Sequence, residues 1–202
     1  DSSAAKLHIF PGFIASDAKG YTTTLGRGGS DYTAAIIAAA IEADVLEIWT
    51  DVPGMMTADP RFVRNVRQIS RINYREAMEL SHFGAKVIYP PTIQPVMAKG
   101  IPVLIKNTFD PDNPGTLIEA ASSPEKDMIR GITSIDKITV LNLEGSGMVG
   151  IPGFSKRLFD ALSRSQINVI LITQSSSEHS ICVAIEEKYA EARAFVPMFE
   201  GE

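Results

Sequence analysis

The chain has 202 residues, 45% of them hydrophobic and 21% charged, a soluble globular composition with room for one or two domains and no signature of disorder. A net charge of −5 supplies no broad basic field and no local basic patch stands out, which excludes nucleic acid as a partner. The longest apolar stretches, such as Tyr32 to Ile41, fall far short of the roughly 20 residues of a membrane span. No signal peptide precedes them, and the lone Cys182, set in an alternating apolar run, allows no internal disulfide. A cytoplasmic protein with no membrane partner and Cys182 as a buried structural thiol is expected.

In chain order, the Ala-rich run YTAAIIAAAIEA predicts a helix over 32–43, with Ser30 and Asp31 placed to cap its start. VLEIWT predicts a strand at 45–50, ended by the turn at Pro53-Gly54. Helices are expected at 74–83, closed by Gly84, and at 91–99, closed by Gly100, before IPVLIKN returns to strand. This alternation predicts βαβ units on a largely parallel sheet, with ligands beyond the carboxyl ends of its strands. Pro111, Pro114, Pro124, Ser122 and Ser123 interrupt the pattern, placing a domain boundary near 120–125. Beyond it the reading is strand (138–143), Gly-rich turn (145–153), helix (154–165), strand (169–173), strand (180–185) and helix (189–199). That order is ferredoxin-like βαββαβ short of its last strand.

Three segments carry candidate chemistry. TTTLGRGGSD, 22–31, brings three glycines, an arginine, hydroxyls and a carboxylate to a helix entry, where backbone N–H groups and the positive helix end suit an anion. Arg27 offers a bidentate grip on a carboxylate or phosphate, and Asp31 an anchor for an ammonium group. The same residues also fit a Gly-rich turn with its cap. Thr50 and Asp51, followed by TADPR at 57–61, place hydroxyl, carboxylate and guanidinium groups after a strand, suited to a nucleotide or simply to turn chemistry. FGAKVIYPP holds Lys86, either a neutralising cation for phosphate or a solvated surface lysine. No GxxxxGK[ST], HExxH or Cys/His cluster is present, so no metal site is expected, and His8, His82 and His179 are scattered.

Taken in order, GFIASDAKGYTTTLGRGGSDYTAA, WTDVPGMMTADPR and FGAKVIYPPTIQP resemble the C-terminal half of the aspartate kinase catalytic domain, within the amino acid kinase superfamily. That resemblance implies domains at 1–122, the kinase half, and 123–202. It implies transfer of the γ-phosphoryl group of MgATP to the β-carboxylate of L-aspartate, by positioning and charge neutralisation with no tightly bound cofactor. Phe13, Arg27, Gly28, Ser30 and Asp31 correspond to the aspartate side, with Arg27 and Asp31 closest to the chemistry. Thr50, Asp51, Arg61 and Lys86 correspond to the nucleotide side. Met56 stands where relatives often carry a tyrosine. The family's K-F-G-G-[ST] segment, whose lysine contacts the transferring phosphate, is not among these residues, so the 202 residues alone are expected to have little or no kinase activity.

ITVLNLEGSGMVGIPG and NVILITQSSSEHSICVAI resemble an ACT module, the ferredoxin-like sensor of amino acid effectors, and within it the first module of bifunctional aspartate kinase/homoserine dehydrogenase. The resemblance implies an effector site at Gln174 with Gly147 and Met148, and a homo-oligomer formed through paired modules. A lysine sensor should present a carboxylate, whereas Asn168, Val169, Ile170 and Leu171 precede Gln174, so threonine is favoured over lysine. An effector-binding and dimerisation unit, or a kinase acting on another amino acid such as glutamate, are the alternatives.

Overall fold

In the computed structural model, residues 6–85, 87–121, 129–145, 153–174 and 180–190 are described. Contacts divide the chain into two units, Asp1–Ser134 and Ile135–Glu202.

In the first unit, β1 (Ile14–Ser16) and β2 (Thr22–Thr24) form an antiparallel hairpin. Its turn is folded by Asp17, whose carboxylate accepts from the amides of Lys19 and Tyr21 at 2.8 and 2.9 Å. The hairpin leads into α1 (Gly29–Ala40), three residues earlier than its Ala-rich core suggests. Gly28, at φ 70°, takes the N-cap position, so Ser30 and Asp31 lie in the first turn and do not cap it. Only a glycine adopts that left-handed geometry freely, and an added Cβ there would lie 2.3 Å from the Tyr89 Cβ. Small buried residues, Gly29, Ala35 and Ala38, bring α1 close to its neighbours.

Four strands form one sheet in the order β3 (Leu46–Thr50), β5 (Val103–Asn107), β6 (Thr116–Glu119), β4 (Arg71–Asn73). Pairs β3/β5 and β4/β6 are parallel, as expected of a largely parallel sheet, and β5 and β6 add one antiparallel pair. The reason is the connection: the proline-bearing stretch after Asn107 folds back as a loop instead of crossing over, and β6 returns beside β5. Alternate residues Leu46 and Ile48, Val103 and Ile105, Thr116 and Ile118 turn inward onto a core shared with Ala77, Ile93 and Val96. The helices that supply them are α2 (Tyr74–Leu80) and α3 (Pro90–Lys99).

Asn73 and Glu76 form a reciprocal capping box at the start of α2 (Asn73 Oδ1 to Glu76 N, 2.9 Å), and the buried Tyr74 hydroxyl donates to the Ile101 carbonyl at 2.8 Å. The expected single helix to residue 83 instead changes pitch, passing into a π turn at Ser81–Ala85. α3 opens on Pro90 and Pro91, where a missing N–H costs nothing, and closes on Gly100 at φ 68°.

Downstream of β6, residues 129–134 belong to this unit and not to the next. The Ile132 amide donates to the Thr57 carbonyl at 2.9 Å, Arg130 lies 3.8 Å from Glu76, and Gly84 packs so closely on the Ser134 carbonyl that a Cβ would sit 2.3 Å from it.

The second unit is a three-stranded antiparallel sheet, β7 (Ile138–Glu144), β9 (Ser180–Glu186), β8 (Val169–Gln174), with β9 central. α4 (Phe154–Arg164) covers one face, its Leu158 and Leu162 meeting Ile181, Val183 and Ile185. Cys182 is half-buried, its thiol 3.1 Å from the Asn142 Oδ1 on the neighbouring strand, rather than fully enclosed. The helix expected over 189–199 falls almost wholly outside the described residues; Glu187–Tyr189 form a single 3₁₀ turn. No described helix is long and apolar enough to cross a membrane.

One buried hydroxyl joins three segments of the first unit. Thr116, fully buried, donates to the Ile69 carbonyl at 2.6 Å and accepts from the Met55 amide at 2.9 Å. Gly54, at φ 140°, has no room for a side chain against it. Thr116→Val keeps the shape but leaves both groups unpaired in the core, and is expected to destabilise the fold by about 1–3 kcal/mol in urea unfolding, whereas a surface substitution should leave the midpoint unmoved.

Candidate functional site

The aspartate-side residues of the sequence reading converge on the start of α1. Phe13 takes a left-handed backbone, φ 74°, an uncommon conformation for a residue with a Cβ. Its carbonyl accepts from the Leu25 amide at 2.9 Å, its amide donates to Thr33 Oγ1 at 3.2 Å, and its ring edge lies 3.1 Å from where a Gly29 Cβ would stand. A Gly29 Cβ would also meet the Leu25 Cβ at 2.6 Å, and a Gly12 Cβ would meet the Ser30 Cα at 3.1 Å. These close approaches fold residues 12–13, 25 and 28–30 into one tight turn.

No side chain caps α1, so the positive end of the helix is left open to an anion. Arg27, the residue before the N-cap, is exposed and without an ion pair among the described residues. Ser30 is exposed and Asp31 half-buried. Burial raises the Asp31 carboxyl above its ordinary value, and a hydrogen bond from the Ser30 hydroxyl partly offsets this by favouring the charged form. A cation, a carboxylate and a helix N-terminus within one turn can hold the two charged ends of a zwitterion.

Of the residues expected on the nucleotide side, Thr50 and Asp51 stand at the carboxyl end of β3. Thr50 donates from Oγ1 to Asp51 Oδ1 at 3.2 Å, and its carbonyl accepts from the Thr108 amide at 2.8 Å. After the Thr116 tie, the chain makes an excursion closed at its neck by the Met56/Gln68 bridge and the Thr57 amide bonded to the Arg67 carbonyl at 2.8 Å. Arg61 sits at its tip, clamped on Asp59, with Nε 3.0 Å from each carboxylate oxygen, and lies 5.6 Å from the centre of the Phe62 ring. The guanidinium holds the Asp59 carboxyl below its ordinary value. Arg61 thus reaches a phosphate only by sharing or leaving Asp59. Lys86, Gly147 and Met148 lie outside the described residues. Gln174 is exposed at the end of the edge strand β8, opposite Ile181.

Several residues that shape this region carried no sequence signal. Tyr89 backs Gly28 and also lines an open cavity of about 410 Å³ with Met78, Ser81, His82, Pro90, Pro91 and Gln94. Thr33 and Thr116 act through hydroxyls that meet backbone groups distant in sequence, and a lone threonine in a helix or strand gives no warning of that. A cluster of three or more His, Cys, Asp or Glu side chains able to hold a metal is not found among the described residues.

The amino acid kinase family model matches residues 3–107, and an ACT domain model matches residues 141–193. The bifunctional aspartokinase/homoserine dehydrogenase of Haemophilus influenzae is 49% identical over 92% of this chain, and its chloroplastic counterpart 1 of Arabidopsis thaliana 43% over 94%. The chain spans only 23% and 21% of those two proteins. The crystal structure of E. coli aspartokinase III with aspartate and ADP matches 87% of this chain, and 38% of its own, at a TM-score of 0.76 and 42% identity. The same enzyme with lysine and aspartate matches 87% of this chain and 39% of its own, at a TM-score of 0.66 and 40% identity. With a kinase-family model over more than half of its length and an ACT domain after it, the chain belongs to the amino acid kinase family, and the relatives and solved structures it resembles are aspartokinases.

Proposed function

We propose that the chain is part of an aspartate kinase, which transfers the γ-phosphoryl group of MgATP to the β-carboxylate of L-aspartate and releases ADP and 4-phospho-L-aspartate, the entry to the aspartate-derived amino acids. The observation that carries the reading is the turn at the start of α1, where Arg27 precedes and Ser30 and Asp31 follow an N-cap, Gly28, that no side chain caps. Aspartate presents two carboxylates and one ammonium group. Arg27 clamps a carboxylate with two parallel N–H bonds, Asp31 meets the ammonium group, and Phe13 and Gly28 form the floor beneath them. The acceptor oxygen is thereby held still, which is most of what phosphoryl transfer asks of a protein. Thr50 and Asp51 at the end of β3, with Arg61 and Lys86, receive the nucleotide, whose magnesium ion arrives with it as substrate.

Kinship with a structure holding aspartate and ADP supports the substrate pair. Chemistry supports Asp31 as a tuned group: because burial raises its carboxyl, acidification uncharges it before an exposed aspartate titrates, and the ammonium grip weakens from that pH downward. A kinase half followed by an ACT domain, a cytoplasmic location and a homo-oligomer formed through the ACT units complete the reading.

In the second unit we place the effector at Gln174 with Gly147 and Met148, and threonine as that effector. Gln174 lies at an exposed strand end, where its amide can donate to and accept from a hydroxyl or a zwitterion. The described part of β8 offers no carboxylate for the ammonium group of a lysine side chain.

In a coupled ADP-release assay, the complete protein is expected to turn over with aspartate and the 202 residues alone to show little or no activity, lacking the K-F-G-G-[ST] lysine. In the complete protein Arg27→Ala should raise the aspartate KM about 10- to 100-fold and leave the MgATP KM nearly unchanged. An unchanged aspartate KM would remove Arg27 from the site. Calorimetry of the complete protein should give saturable binding of threonine and none of lysine; binding of lysine alone would overturn the effector assignment.

A further inference from the structure

Phe13 can serve the acceptor substrate only if something holds its backbone in the left-handed region, since nothing about a phenylalanine favours that conformation. One tie is local: the Leu25 amide bonds the Phe13 carbonyl at 2.9 Å and closes the base of the hairpin. The other crosses to α1. Thr33 Oγ1 accepts from the Phe13 amide at 3.2 Å and donates to the Gly29 carbonyl at 2.9 Å. A helical threonine commonly donates back one turn, and that bond alone would carry no message. The second bond is different, because its partner lies 20 residues earlier, in the segment packed against Gly29 and Ser30. A single half-buried hydroxyl therefore fixes the Phe13 backbone relative to the first turn of the helix whose open end receives the acceptor.

Gly29 makes the geometry demanding. The Phe13 ring edge stands 3.1 Å from the place of its missing Cβ, so ring and helix are in contact and a small rotation about Phe13 either clashes or opens a gap. The hydroxyl, the glycine carbonyl and the phenylalanine amide form one three-point brace, and the α1 backbone supplies its rigidity.

We infer that Thr33 is a positioning residue for the acceptor amino acid: its hydroxyl braces Phe13 against the first turn of α1 and so sets the floor on which the aspartate carboxylate and ammonium groups are held. The role rests on the aspartate kinase reading. It predicts an effect on one substrate and not the other, since Thr50, Asp51 and Arg61 stand on β3 and the loop that follows it.

The test is steady-state kinetics of the complete protein with Thr33→Val, which keeps the branched shape and deletes both hydrogen bonds, and with Thr33→Ser, which restores the hydroxyl. Thr33→Val is expected to raise the aspartate KM about 3- to 10-fold with the MgATP KM within about twofold of wild type, and Thr33→Ser to return the aspartate KM close to wild type. An aspartate KM unchanged in Thr33→Val overturns the role while leaving the aspartate kinase reading standing. A parallel rise in both KM values with a lowered melting temperature, or failure of the valine variant to fold while the serine variant keeps a raised aspartate KM, marks a structural residue only and also overturns it. If the wild-type protein shows no aspartate-dependent turnover, the reading and the role fall together.

Discussion

Two consecutive positions without side chains, Gly28 and Gly29, govern the kinase-family half of this chain. At Gly28 the backbone turns left-handed against the Tyr89 side chain, and at Gly29 it presses on Leu25 and Phe13. Any Cβ at either position would overlap its neighbours at 2.3–2.6 Å. The contact does three things at once: it starts α1 three residues before its alanine-rich stretch, it leaves the helix without a side-chain cap, and it brings Arg27, Ser30 and Asp31 around that open end. In the proposed site, binding chemistry and helix initiation are therefore the same structural event, and the helix dipole comes with them.

A second constraint acts on the loop after β3. The excursion after β3 is tied at its root by the Thr116 hydroxyl and at its neck by Thr57, and the segment 129–134 is bonded to that same neck. Its end also packs against the π turn that runs directly into residue 86. The last stretch of the first unit thus touches the neck of the loop that carries Arg61 and the π turn at Ser81–Ala85, through short backbone contacts that transmit displacement better than long side chains do. Where phosphoryl transfer depends on positioning more than on covalent chemistry, such ties matter as much as the groups that meet the substrate.

Much of this was legible in the sequence, for identifiable reasons. The alanine run, the Pro-Gly turn, Gly100 after α3 and the alternating apolar strands 103–107 and 180–186 each obey local rules, and each element appears where those rules place it within a few residues. The Gly-rich segment announced a close approach of backbone, which the structure places at Gly28 and Gly29. Illegible features depend on partners remote in the chain. Strands β4 and β6 are only three and four residues long, too short to show a period, and are held by pairing with each other and with β5. The antiparallel turn of β6 reflects a loop that returns rather than crosses. Thr33 and Thr116 earn their roles from amides 20 and 61 residues away. The π turn at Ser81–Ala85 came from a segment that reads as uninterrupted helix.

What distinguishes an aspartate kinase from a kinase for a longer amino acid is the distance between the clamp on one end of the substrate and the phosphoryl acceptor at the other. With Phe13, braced on α1, as the proposed floor of the acceptor site, that distance would be set in backbone, and one methylene more in the acceptor should misplace its carboxylate. Acceptor choice in the complete protein is the most direct measurement: MgATP with either aspartate or glutamate, and the acyl phosphate trapped by hydroxylamine. Hydroxamate formed from aspartate, with glutamate at background, is the predicted result; equal or greater product from glutamate would contradict it.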